Sequence, residues 1–473
     1  MRTTEMSNRL LGVAMLVALS ACSTAKYATP ADPVTKDFAG IDAIKVTTAA
    51  VEVEFWKSLN DPQLSGLIDD ALTANHDLRI GLARLNAARA LLRESKLNYL
   101  PTITASGQAG NARSSADQLP GVARQDRDGD SYEAAIDAFW ELDFFGRVRN
   151  SVKAQRAETA ATAADLASLQ TVVIGELARA YFEHQGLLQR LEVARSNASN
   201  QTDSLKLVQA RLEAGRGTEF DTARASAQLQ TTLGRIPPLE AQAAIAEHRI
   251  AVLTGRAPDA LSTELSKVGT PPTLPVVVDA GTPGELLRRR PDVIAAERRL
   301  ASAAARIGVA TADLFPRFTI GGSYGTQAAD TSNLFQRDSE TRLIALGIDW
   351  SFLDIGRVRA RIAAADATAE ANLASYEQTV LLALEETQNA VITYDRALRE
   401  REHLRAAAAD TTHAATLARL RFNGGIIGFL DVLDAERSQL EAQDQLAQSE
   451  TRSATALIAL YKSLAGGWPE RGK

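Results

Sequence analysis

At 473 residues and 45% hydrophobic content the chain could bury two or three ordinary cores, but aromatics make up only 5% and alanine is abundant, a balance that suits close-packed helices. The net charge of −6 gives no reason to expect a nucleic-acid partner. The single cysteine, Cys22, excludes intrachain disulfides.

Arg2 and Arg9 precede an apolar run from Leu10 to Leu19 that is too short to span a bilayer as a helix, so residues 1–21 read as a signal peptide. The run ends in Leu19-Ser20-Ala21-Cys22. This resembles a bacterial lipobox, which implies a covalent lipid on Cys22 as the first residue of the mature chain. Ser23 follows rather than the aspartate that commonly retains lipoproteins at the inner membrane, which favours the outer membrane. Residues 22–60, with Pro30 and Pro33, read as a lipid-anchored tether.

Asp61-Pro62 opens a helical pattern, with Leu64, Leu67, Ile68, Ala71 and Leu72 on one face, which continues through Leu78, Leu82 and Leu85 until Pro101 stops it. Beyond Pro101 the period becomes two. Tyr132, Ala134, Ile136, Ala138, Trp140 and Leu142 take one phase, and Glu133, Asp137, Glu141 and Asp143 the other. Strands are therefore predicted over about 101–112 and 131–143, with a polar loop around Pro120-Gly121 between them. One face must meet something apolar and the other water. The length suits a tilted membrane strand; the alternation by itself fits a soluble hairpin on a helical body as well.

No proline interrupts residues 146–215, where Leu177, His184, Leu191, Ala198, Leu205 and Leu212 fall on one heptad seam, so a long coiled-coil helix is predicted. The chain turns at Gly215 and returns to Thr254 through a helix interrupted at Pro237-Pro238. This return is about half as long as its partner, and the helix from Asp61 supplies the missing half if the two stack end to end. Residues 61–255 thus make one unit. Residues 256–282, rich in proline and valine, read as an equatorial linker, and 283–465 repeat the unit, with strands about 316–327 and 341–353, a tip near Gly425 and a tail over 466–473. His76-Asp77-Leu78 returns as Pro291-Asp292-Val293, Tyr99-Leu100-Pro101 as Leu314-Phe315-Pro316, and Phe145-Gly146-Arg147-Val148-Arg149 as Ile355-Gly356-Arg357-Val358-Arg359. Trp140 and Trp350 occupy equivalent strands and are expected at the membrane interface.

Leu287-Arg288-Arg289-Arg290-Pro291-Asp292-Val293, then Ala304-Ala305-Arg306-Ile307-Gly308-Val309-Ala310, Asp313-Leu314-Phe315-Pro316, Arg421-Phe422-Asn423-Gly424-Gly425 and Val432-Leu433-Asp434-Ala435 follow one another in an order that resembles the TolC-type outer-membrane efflux proteins, in particular the lipoprotein branch serving RND multidrug pumps. The resemblance covers nearly the whole mature chain. It implies a mainly α protein with a membrane β-barrel. Three chains would each give four strands to a twelve-stranded barrel, and their antiparallel coiled coils would form a periplasmic tunnel. It further implies a homotrimer in outer-membrane lipid, joined through a periplasmic adaptor (membrane fusion) protein to an inner-membrane RND transporter, and passively exporting small molecules. The exit duct of a type I protein-secretion system and a lipid-anchored coiled-coil scaffold without a pore are the alternatives.

No catalytic constellation is present, so the chain does not read as an enzyme. His76, His184, His248, His403 and His413 lie scattered along helices without metal-ligand spacing, and no metal or dissociable cofactor is expected. Gly215 and Gly425 stand where a helix must reverse, and the resemblance places these tips against the adaptor. Arg211 and Arg421, four residues before the tip glycines, are candidates to pair with acids on neighbouring helices or with the adaptor. Asp431 and Asp434, spaced i, i+3 at the start of the last helix, would ordinarily complement its dipole. In a trimer they would ring the periplasmic mouth, where the family's selectivity constriction lies. The first half has Asp221, but Arg224 where the second acid would be.

Overall fold

The computed structural model describes residues 45–47, 54–267, 269, 274–279 and 282–465. The predicted signal peptide, Cys22, most of the tether and the 466–473 tail lie outside the described residues. The elements run β1 (Lys45–Thr47), α1 (Phe55–Ser58), α2 (Pro62–Ala74), α3 (His76–Leu97), β2 (Thr102–Arg113), β3 (Asp128–Leu142), α4 (Arg147–Glu213), α5 (Glu219–Leu233), α6 (Ile236–Leu253), β4 (Val277–Asp279), α7 (Pro283–Arg289), α8 (Pro291–Ala312), β5 (Arg317–Ala328), β6 (Glu340–Asp349), α9 (Ile355–Asn423) and α10 (Phe429–Ser463). Helices α4 and α9 have 67 and 69 residues, and at ~1.5 Å per residue each is roughly 100 Å long.

These elements divide into two compact units, with boundaries that fall inside α3, α4, α8 and α9. The first, residues 84–162 and 295–377, holds an antiparallel sheet of order β2-β3-β5-β6. Its register puts Trp140 opposite Ile320 and Ile320 opposite Leu346, and Ile103 opposite Ala138. One face therefore carries Ile103, Ile136, Ile344, Leu346 and Ile348, all exposed, with Ile344 at 86%. The other carries Glu133, Asp137, whose Oδ2 accepts from Ser106 Oγ at 2.9 Å, and Glu141, which is paired with Arg147. At the ends of the strands Trp140 Nε1 donates to the Tyr99 carbonyl at 3.0 Å, and Trp350 Nε1 to the Leu314 carbonyl at 3.1 Å. The fourth strand ends at Asp349, earlier than its pattern predicts, because a short 3-10 turn over Phe352–Asp354 leads into α9.

The second unit takes in the rest of the described residues, up to 83, from 163 to 294 and from 378 to 465, and among these is built of helices apart from the parallel pair β1 and β4. Its core joins Phe55, Trp56, Ile174, Leu177, Ile250, Tyr394, Leu457 and Leu460, and Phe55 stacks on Tyr461 with ring centroids 4.7 Å apart. The helix predicted to run unbroken from Asp61 breaks at Asn75, which is extended at φ −60, ψ 129. Asn75 Nδ2 reaches the Leu253 carbonyl at 2.8 Å, and its Oδ1 caps α3 by accepting from Leu78 N at 3.1 Å. The matching break in the second half is at Arg290, where Pro291 disfavours helical geometry in the preceding residue. The Arg290 guanidinium spans the gap to Asp292 and Glu386, each at 2.7 Å, and to the Ser463 carbonyl at 3.0 Å. The return helix of the first half breaks at Gly234-Arg235, ahead of its prolines; Pro237 and Pro238 sit in the first turn of α6, where an amide has no intrahelical partner to lose.

Candidate functional site: the two hairpin tips

The two helical reversals are built alike, for a reason that starts at glycine. Gly215 has φ +70 and Gly425 φ +73, a conformation that other residues adopt only under strain. With that residue turned, Gly215 N–H bonds the Leu212 carbonyl and Arg216 N–H the Arg211 carbonyl, at 2.9 and 2.8 Å. At the second tip Gly425 N–H bonds the Phe422 carbonyl and Ile426 N–H the Arg421 carbonyl, both at 2.9 Å. Each pair is a Schellman closure, which satisfies carbonyls that the helix end leaves open.

Between the tips lies a small apolar core of Val208, Ala225, Phe422, Phe429, Val432 and Leu433. The Phe422 and Phe429 rings meet at 5.3 Å between centroids. Arg211 closes over this core: its Nη2 donates to the Phe422 carbonyl at 2.9 Å, and its Cζ stands 3.9 Å from the Phe422 ring centroid. Within the chain Arg211 thus meets a carbonyl and a ring rather than an acid. Arg421 is exposed, and no hydrogen bond, ion pair or ring contact engages its side chain among the described residues.

Asp431 and Asp434 are both exposed on the first turns of α10. Asp431 Oδ2 accepts from Gly428 N–H at 3.1 Å, so this carboxylate closes the N-terminus of its own helix. Asp221 has the corresponding place in the first half, where its N–H donates to Thr218 Oγ1 at 3.2 Å. Asp434 pairs loosely with Arg437 at 3.4 Å and keeps 62% side-chain exposure. Arg224, at the matching position, lies over the Phe220 ring at 5.3 Å.

A third acid, Glu436, was passed over by reasoning from sequence. It is 1% exposed, and its Oε1 accepts from Arg419 Nε and Ser204 Oγ, both at 2.8 Å, which ties α4, α9 and α10 together near the tips. Its spacing from Asp431 turns it to the buried side of an amphipathic helix, and that was the signal available.

This architecture has relatives. The profile described as "Outer membrane efflux protein" matches residues 67–256 and again 282–466. The outer membrane protein OprJ of Pseudomonas aeruginosa is 33% identical over 470 residues, 97% of this chain and 96% of that protein. The pyoverdine export outer membrane protein OpmQ of Pseudomonas putida is 30% identical, covering 89% of each chain. The solved structure of the outer-membrane channel OprN superposes with a TM-score of 0.87 at 40% identity, over 94% of this chain and 99% of that one. With both halves matched by one family profile and a relative aligned over almost its full length, the chain belongs to the outer membrane efflux protein family.

Proposed function

We propose that this outer membrane efflux protein is the passive exit duct of a tripartite pump, working as a homotrimer coupled through a periplasmic adaptor to an inner-membrane RND transporter. The observation that carries the reading is the four-stranded sheet with one exposed apolar face. Open sheet edges are not tolerated in lipid, and four strands do not close a barrel. Strands β2 and β6, at the ends of the order, find partners if three copies join into a twelve-stranded barrel. The long helices α4 and α9 then provide the periplasmic conduit, with the tips at Gly215 and Gly425 facing the adaptor together with Arg211 and Arg421. Asp431 and Asp434 supply carboxylates to the mouth. A lipid on Cys22 adds a second hold on the outer membrane.

The test is accumulation of a fluorescent pump substrate in cells lacking the chain, paired with planar-bilayer recording of the purified protein. Higher accumulation on deletion, its reversal by complementation and discrete conductance steps from a trimer are the expected results. A protein that folds and trimerises without conducting is a scaffold, and the proposal falls.

A further inference from the structure

The two tips have the same backbone and different side-chain contacts. Arg211 and Arg421 hold the same place in the same turn, each carbonyl accepting from the residue five positions on. Arg211 is committed to Phe422 within the chain, while Arg421 is exposed and unengaged among the described residues. The acceptor Arg211 uses is the carbonyl of the residue that directly follows Arg421. The corresponding carbonyl of the first half is that of Leu212, directly after Arg211. Both already accept one turn bond, from Gly425 and Gly215 respectively, and a carbonyl has two lone pairs. Phe422 O spends its second on Arg211; Leu212 O has one to give, and the Leu212 side chain is 36% exposed where that of Phe422 is 7%.

We propose that Arg421 donates to the Leu212 carbonyl of a neighbouring copy of this chain, continuing around the ring the clasp that Arg211 makes inside each chain. This rests on the trimeric reading above. A closed ring of two-fold repeated chains alternates junctions within a chain and junctions between chains, and the interface between copies is head-to-tail. A donor left over at one end of the repeat and an acceptor left over at the other are what such a ring requires. The junctions are not equal, since leucine offers no ring face to the guanidinium. The mouth therefore parts first between chains, at the Arg421 clasp, while the Arg211 clasp keeps each chain's two tips together.

The experiment uses the full chain carrying Leu212→Cys and Arg421→Cys, treated in membranes with a short bismaleimide. Conversion of the monomer band into covalent dimers and trimers on a denaturing gel, with neither single variant doing so, is the expected result. Cross-linked monomer alone, or no product from a protein that still runs as a trimer on a native gel, overturns the clasp and leaves the trimer standing. A protein that runs as a monomer with both native residues in place overturns the trimeric reading itself. If the double variant does not assemble, a photoreactive residue at position 421 of an otherwise unchanged chain takes its place. An adduct within residues 212–216 of another copy supports the clasp, and an adduct confined to its own chain refutes it.

Discussion

His184 shows how one residue can carry two readings. Its heptad phase with Leu177 and Leu191 was plain in the sequence, and it lies on the buried seam at 2% exposure. Its Nδ1 has no hydrogen-bond partner, and burial pushes its pKa down from 6.5 to about 4. The unfolded chain binds the proton more readily, so this residue's contribution is intact above about pH 6.5 and is lost as pH falls toward about 4. That difference corresponds to at most about 3 kcal/mol per chain. His184→Leu is expected to flatten the fall in melting temperature between pH 6.5 and 4.5, measured in detergent; an unchanged slope places the acid sensitivity elsewhere. Two residues on, Gly186 was invisible as a constraint, because what makes it one comes from position 451. A Cβ at Gly186 would lie 2.9 Å from Thr451 Cβ. Gly186→Ala is expected to destabilise by about 1–3 kcal/mol, and Thr451→Ala to recover part of it in a double-mutant cycle. Additive effects in thermal melts would mean that α4 and α10 do not meet this closely.

At the scale of elements, legibility followed periodicity. The long helices, the apolar phase of the strands and the tip glycines each repeat a short-range signal, and the structure has them within a few residues of the expected bounds. The break at Asn75 did not show, because apolar spacing continues across it and its contact comes from Leu253, far away in sequence; the break at Arg290 has a local mark in Pro291, and only the Glu386 and Ser463 partners of Arg290 are distant. The tips invite a test of this distinction between backbone and contact. A Cβ at Gly215 or Gly425 meets nothing within 4 Å, so alanine there suffers only from the left-handed φ, about 1–2 kcal/mol. Gly425→Pro cannot adopt that φ and also deletes the N–H bound to the Phe422 carbonyl. Adaptor cross-linking is expected to survive Gly425→Ala and to fail in Gly425→Pro while trimer yield stays normal. Equal loss of trimer in the proline variant would confine the glycine to folding.

At the scale of the whole molecule the sequence conveyed more than any single site did, because a chain with one exposed apolar sheet face and two helices of this length has few environments open to it. The candidate mouth was less legible: Asp431, Asp434 and Glu436 are three acids within six positions, and only the fold shows that they do three different things. Glu436 is internal and bound to Arg419, Asp431 closes a helix end, and Asp434 has only a loose partner.

This division lets charge at the mouth be separated from stability. Asp431→Ala removes both a carboxylate and the cap on Gly428 N–H, which costs about 0.5–2 kcal/mol, so a functional change in that variant has two causes. Asp431→Asn keeps an oxygen acceptor for the cap and removes the charge; Asp434→Ala removes a carboxylate that caps nothing. If the proposed trimer sets these carboxylates around its mouth, each substitution deletes a ring of charges there. Attraction at contact distance in water is about 1 kcal/mol per pair of unit charges, so block by a trivalent cation is expected to weaken about fivefold or more in either variant, and further in the combination. Melting temperature should change less in either single variant than in Asp431→Ala, since only dipole complementarity and the loose Arg437 pair are lost. Planar-bilayer recordings with the cation added on the periplasmic side make the comparison. Identical block in wild type and the Asp431→Asn, Asp434→Ala combination would put both carboxylates outside the constriction, and would leave Asp431 with the helix-closing role its hydrogen bond already gives it.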